Sequence, residues 1–163
     1  RAVAAFGRLD ILVNNAGILK DHAHSTRDIP LEVFEETIRV NVRGPLALTQ
    51  RLLPLLEKSK RGRIVNMSSG LGCLSEGMSG GYPAYRMSKA ALNALTRNLA
   101  SELEGTNIIV SVVDPGWVRT DMGGPGASLS VDESVSGIAD VIARERGTPG
   151  CRFLDYSGAT LAW

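Results

Sequence analysis

The chain has 163 residues, 44% apolar and 21% charged, with a formal net charge of +1, the profile of one soluble globular domain with ample material for a core. Eighteen basic against seventeen acidic residues give no field that would draw nucleic acid or an anionic membrane, no apolar run approaches the roughly 20 residues of a bilayer span, and no charged-then-apolar signal opens the chain. A cytoplasmic protein is expected, and Cys73 and Cys151, far apart and outside any C-x-x-C pattern, read as thiols rather than metal ligands or a disulfide.

In chain order, "RAVAAF" reads as the last turns of a helix closed by Gly7, and "LDILVNNAG" as a buried strand running into a turn. The chain thus starts inside a helix and without Met, so it is expected to be the later part of a longer domain. His22 and His24, two apart in a polar segment without further ligands nearby, are expected to face solvent. Pro30 suits a helix start, and Leu31, Phe34, Ile38, Val42, Leu46 and Leu53 carry helical spacing to about Leu56, with a bend near Asn41 imposed by Pro45. "GRIVNMSS" is a short buried strand and "GLGCLSEGMSGG" a glycine-rich loop at its carboxyl end. A helix is expected from about Tyr82 to Glu104, with Ala90, Ala91, Ala94, Leu95 and Leu99 as its core or subunit-contact stripe. "NIIVSVVDPG" is a further apolar strand, "SVDESVSGIADVIARE" a capped helix, and "CRFLDYSG" a last short strand.

Continuously apolar strands separated by long helices argue for an α/β protein with a doubly wound parallel sheet. In such sheets ligands lie outside the carboxyl ends of the strands, where "NNAG", "NMSSG" and "DPGWVRTD" all fall. Within "YPAYRMSK", helical spacing pairs Lys89 with Tyr85, four residues earlier, and leaves Tyr82 aside as a loop or helix-start packer. A tyrosine with a cation beside it suggests an acid.

Taken together, "NNAG" at 14 to 17, Asn41 in "VNVRG", Ser69 in "IVNMSS", Tyr85-x-x-x-Lys89 and "DPGWVRT" at 114 to 120 resemble the short-chain dehydrogenase/reductase family over nearly the whole chain. "GWVRTDMGGP" and the ending from Gly150 through Phe153 to Trp163 look most like its carbonyl-reductase-like members. The resemblance implies the later two-thirds of one Rossmann-type domain, without the first strands and their glycine-rich turn. "GLGCLS" is no substitute, since Ser75 stands where a third glycine would fall and no helix follows at once.

The resemblance implies hydride transfer between a nicotinamide cofactor, NADP(H) ahead of NAD(H), and a small carbonyl or alcohol substrate, without a metal. Tyr85 would be the general acid, its pKa drawn down by Lys89, which would also hold the nicotinamide ribose; Ser69 would hold the substrate oxygen, and Asn41 a water that reprotonates Lys89. Asn14, Ala16 and Gly17 would border the cofactor, although Asn14 also suits a bridge between strands. Pro115 and Gly116, ordinary turn formers in isolation, would place the Val118 backbone and the Thr120 hydroxyl against the carboxamide. "DMGGPGASLS" reads either as a lid or as a surface loop. A homo-oligomer is common in the family. The alternative is a truncated, inactive remnant of the fold, or a sensor or interaction protein.

Overall fold

The computed structural model describes Ala5, residues 7–75, 80–145 and 151–163. Apart from Ala5, the helix end expected over residues 1–6 lies outside the described residues, as do Gly150 and residues 76–79 of the glycine-rich loop.

Four strands, β1 (Ile11–Asn14), β2 (Gly62–Met67), β3 (Ile108–Asp114) and β4 (Phe153–Asp155), pair in parallel in the order β1-β2-β3-β4. Every residue of β2 is buried, Arg63 and Asn66 included, as the central position of the strand in a parallel sheet covered on both faces requires. Between β1 and β2 run α1 (Leu31–Ile38), a π-helical turn (Arg39–Arg43) and α2 (Gly44–Leu56). The bend expected near Asn41 is therefore a π turn. The ring of Pro45 offers no amide hydrogen, so the preceding turn widens rather than continuing the α-helical ladder. α3 (Pro83–Glu102) joins β2 to β3, and α4 (Val131–Arg144) joins β3 to β4, opening on a capping box between Ser130 and Glu133.

Two apolar clusters sandwich the sheet. Leu12, Ile64, Ile108 and Val110 pack with Leu52, Leu53 and Leu56 of α2 and Leu99 and Ala100 of α3 on one face. Val65, Met67, Val113 and Leu154 pack with Ile138, Val141 and Ile142 of α4 on the other. Because the strands step in one direction while α4 changes face, the β3-α4-β4 crossover has the opposite hand to the two before it, a rarely used connection. At β1 the α4 face is uncovered among the described residues, leaving Ile11 45% and Val13 42% exposed.

The expected α3 stripe is core only in part: Leu99 packs into the first cluster, Ala90, Ala91 and Leu95 are half-buried and Ala94 is exposed. The buried residues are Pro83, Ala84, Tyr85, Ser88, Lys89, Leu92, Asn93 and Thr96, half of them polar, because this face borders the cleft and the polar pairs described next. No described helix is long and apolar enough to cross a membrane.

Candidate active site

The cleft lies at the carboxyl ends of β1, β2 and β3. At the end of β1, Asn14 donates through Nδ2 to Asn66 Oδ1 of β2 at 2.8 Å and to Thr49 Oγ1 of α2 at 3.2 Å. Asn66 in turn donates to Thr96 Oγ1 of α3 at 2.9 Å. Asn14 thus bridges neighbouring elements, the simpler of its two expected jobs. Ala16 is exposed beyond it, and Gly17 comes next.

The π turn presents Asn41, which is fully buried. Its Oδ1 accepts from the Ile18 amide at 2.8 Å, and its Nδ2 donates to the Ile18 carbonyl at 2.9 Å and to Ser88 Oγ at 3.0 Å. Ser88 Oγ then donates to the Tyr85 carbonyl at 2.7 Å. A continuous bonded path therefore ties the loop after β1, the π turn and the start of α3. Asn41 touches Lys89 through none of these bonds.

Ser69, past the end of β2, takes an extended backbone (φ −163) and caps a single 3-10 turn, Gly70–Gly72, accepting from the Leu71 amide at 3.2 Å. The loop "GLGCLS" is thus a tight turn pressed on α3 and no phosphate cradle: a Cβ at Gly72 would stand 2.8 Å from the Lys89 backbone. Tyr85 is buried and hydrogen-bonded with Ser69. Lys89, also buried, donates from Nζ to the Met67 carbonyl at 2.8 Å, and its Nζ lies 5.4 Å from the Tyr85 ring centroid.

The electrostatics depart from the expected pattern. Burial pushes the Tyr85 phenol up to about 12, opposed by the Ser69 hydrogen bond and reinforced by the Asp114 carboxylate. Burial brings the Lys89 ammonium down to about 8, against the pull of Asp114. The expected lowering of Tyr85 by Lys89 is overturned here: desolvation of the phenolate outweighs every attraction in the cleft.

Beyond β3, Pro115 accepts at its carbonyl from Ser134 Oγ at 2.7 Å, and Gly116 adopts φ +77. A side chain there would strike Leu129 Cδ1 at 2.5 Å, so glycine is required on both counts. Val118 bridges Leu129, while the Thr120 hydroxyl is exposed and accepts from the Gly123 amide at 3.2 Å. The segment from 121 to 130 is tied back by Trp117 Nε1 to the Gly123 carbonyl at 2.8 Å and by Arg119 to the Ala127 carbonyl at 3.0 Å. Tyr82 opens α3 in a left-handed conformation and meets His22 edge-on at 5.6 Å. His22 is exposed, His24 is half-buried, and no cluster that could hold a metal is present among the described residues.

Two carboxylates escaped the sequence reading. Asp21, wholly buried, accepts from the Ala84 amide at 2.7 Å and the Tyr85 amide at 3.2 Å, capping α3 from a distant loop. Asp114 accepts from the Gly70 amide and the Gly116 amide, each at 2.8 Å. Asp21 had no motif around it, whereas Asp114, within "DPG", offered a signal: an acid at the carboxyl end of a buried strand.

The short chain dehydrogenase profile matches residues 1–128. The chain is 37% identical over 157 residues to the C-signal protein of Myxococcus xanthus, covering 96% of this chain and 94% of that one. It is 39% identical to the 3-oxoacyl-(acyl-carrier-protein) reductase of Thermotoga maritima, covering 75% of this chain but only 48% of the reductase. Among solved structures, the carbonyl reductase Sniffer of D. melanogaster superposes with TM-score 0.89 at 36% identity, covering 96% of this chain and 67% of that one. The NADPH-bound carbonyl reductase from chicken fatty liver does so with TM-score 0.89 at 34% identity, covering 99% and 71%. A matching profile over most of its length and a Rossmann-like parallel sheet agree, and the chain belongs to the short chain dehydrogenase family.

Proposed function

We propose that this chain is the later, catalytic part of a carbonyl reductase of small ketones or aldehydes, using NADP(H) in preference to NAD(H). The observation that carries the reading is the convergence of Ser69, Tyr85 and Lys89 beyond the ends of β2 and β3. The names of the chicken and fly reductases support the substrate class, and the NADPH of the former supports the cofactor.

The residues present fit a nicotinamide nucleoside. Lys89 has three donors and, among the described residues, one hydrogen bond, to Met67. Gly17 faces it: a Cβ there would lie 3.6 Å from Lys89 Nζ and 3.5 Å from Asn41 Oδ1. A buried ammonium with spare donors beside a glycine suits sugar hydroxyls, so Lys89 would hold the ribose, with Asn14, Ala16 and Gly17 along its border. The Val118 backbone and the Thr120 hydroxyl, beyond the Pro115–Gly116 turn, would hold the carboxamide. When bound, the cofactor supplies hydride to the carbonyl carbon.

The chain's own residues manage the oxygen and the proton. Ser69 would donate to the oxygen as negative charge grows on it, and Tyr85 Oη would give it the proton. A phenol held near 12 keeps that proton through neutral pH. Lys89, near 8, exchanges protons close to neutrality, and Asn41, at the opened π turn, would hold the water that resupplies it. The two cysteines are thiols, which suits the reducing cytoplasm.

Isothermal titration of NADPH, and separately NADH, into the folded chain tests the reading, followed by a ketone and aldehyde screen. Tighter binding of NADPH with turnover supports it; no binding of either cofactor would remove the claim that this chain acts alone as a reductase. A second reading then gains ground, that of a signalling or interaction protein that keeps the fold. Its specific support is the C-signal protein, of which the chain spans 94%, against about half of the acyl-carrier-protein reductase.

A further inference from the structure

We propose that Asp114 is a positioning residue of the cleft: its carboxylate ties the turn after Ser69 to the Pro115–Gly116 turn and sets one negative charge against both Tyr85 and Lys89. It is the last residue of β3. Oδ2 accepts from the Gly70 amide and Oδ1 from the Gly116 amide, each at 2.8 Å, so the two oxygens serve two different loops. Both donors are glycines. A Cβ at Gly70 would come within 3.2 Å of Oδ2, and one at Gly116 would collide with Leu129 and the Tyr156 ring. At Gly70 the missing side chain leaves room for the carboxylate itself, and at Gly116 it leaves room for Leu129 and the Tyr156 ring beside the turn that donates to Oδ1.

The chemistry follows from the charge. A carboxylate near an ammonium favours the charged amine, and near a phenol it disfavours the phenolate. Asp114 acts in that sense on Lys89, opposing burial, and on Tyr85, adding to burial. Both effects hold protons in the cleft. The other titratable groups around Lys89 and Tyr85 are placed otherwise. Asp21 spends one oxygen on the first amides of α3, and Asp155, opposite Asp114 on β4, bonds its own turn at Ser157 and Ala159. Cys73 bonds Ser75 and the Trp163 carbonyl. Arg39 pairs with Glu36, and Arg43 is exposed. Asp114 is the acid to which both proton-bearing groups respond.

For turnover the inference rests on the reading of Tyr85 as proton donor, but its test does not. The 13Cε resonances of Lys20, Lys58, Lys60 and Lys89 can be followed by NMR against pH, with Lys89→Met assigning the last. In Asp114→Asn the Lys89 midpoint should fall by about half a unit or more while the other three stay put. An unmoved Lys89 midpoint overturns the proposal. Should Asp114→Asn fail to fold, the wild-type chain decides: NMR couplings across hydrogen bonds should link the Asp114 carboxylate carbon to both the Gly70 and the Gly116 amide nitrogens, since one carboxylate serves both. Absence of either coupling overturns it. Neither readout needs catalysis, so full turnover by Tyr85→Phe would sink the proposed function and leave this inference standing.

Discussion

Asp21 Oδ2 accepts the backbone amide of Tyr85 at 3.2 Å across 64 positions of sequence, and that of Ala84 at 2.7 Å. The helix that presents the phenol is therefore capped by the loop leaving β1, not by its own N-cap Tyr82, which makes no side-chain cap. A carboxylate at a helix N-terminus satisfies orphan amides and meets the positive end of the helix dipole.

Asp21→Ala should cost about 2 to 3 kcal/mol in urea unfolding, because two buried amides lose a charged acceptor. Asp21→Asn, which keeps one oxygen, should lose less than half as much. Equal stability of all three proteins would show that the cap contributes nothing.

Tyr85→Phe removes one oxygen and little volume, so the fold and cofactor affinity should persist. In a protein that binds the cofactor, kcat for carbonyl reduction should drop by about a hundredfold or more, the usual worth of a positioned acid. Turnover within a factor of two of wild type would strip Tyr85 of the proton.

Alkaline stability should report the two buried groups with opposite signs. The folded Lys89 titrates near 8, below its ordinary 10.5, so between these values the unfolded chain binds more protons and stability rises with pH. The penalty relieved is on the order of 3 kcal/mol. The folded Tyr85 titrates near 12, above its ordinary 10, so stability falls as pH climbs from 10 towards 12. Denaturation of wild type and Lys89→Met at pH 8 and pH 10 checks this: wild type should gain relative to the variant at the higher pH. A constant difference would mean that Lys89 titrates as in an unfolded chain.

How far the site was legible in the sequence follows from how local each signal is. The strands announce themselves because a buried parallel strand is mostly apolar, and β2 is buried at all six positions with only Arg63 and Asn66 polar among them. Ser69, Asn41, Tyr85 and Lys89 sit in motifs at strand ends and on a helix of readable period. The α3 stripe is legible only in part, because hydrophobic periodicity assumes an apolar interior. Leu99 packs in the core, but the helix also buries Ser88, Lys89, Asn93 and Thr96, whose partners come from β2, the π turn and Ser68 just past β2. The Tyr85 pKa was misjudged for a related reason. Spacing shows that a lysine is near, but only packing shows how little solvent reaches the ring. Asp21 acts through sequence-distant amides and leaves no local trace.

Gly72 separates steric from conformational need. Its backbone is compatible with any residue, yet a Cβ would stand 2.8 Å from the Lys89 backbone carbon and Cβ and 2.9 Å from the Ala90 amide nitrogen. These are atoms of the interior of α3 and cannot swing aside, so Gly72→Ala must lift the Gly70–Gly72 turn, and with it Ser69, from the helix. Gly124 is the reverse case: φ is +74, but an added Cβ meets nothing within 4 Å. Gly72→Ala should lose about 2 to 3 kcal/mol by overpacking, Gly124→Ala only about 1 kcal/mol by left-handed strain. The lysine resonances add a readout that stability alone lacks: only Gly72→Ala should move the Lys89 midpoint, towards its ordinary value, as the lifted turn admits water. Equal losses with an unmoved midpoint in both variants would mean that the turn yields without disturbing the cleft, and that Ser69 is held by β2 rather than by its contact with α3.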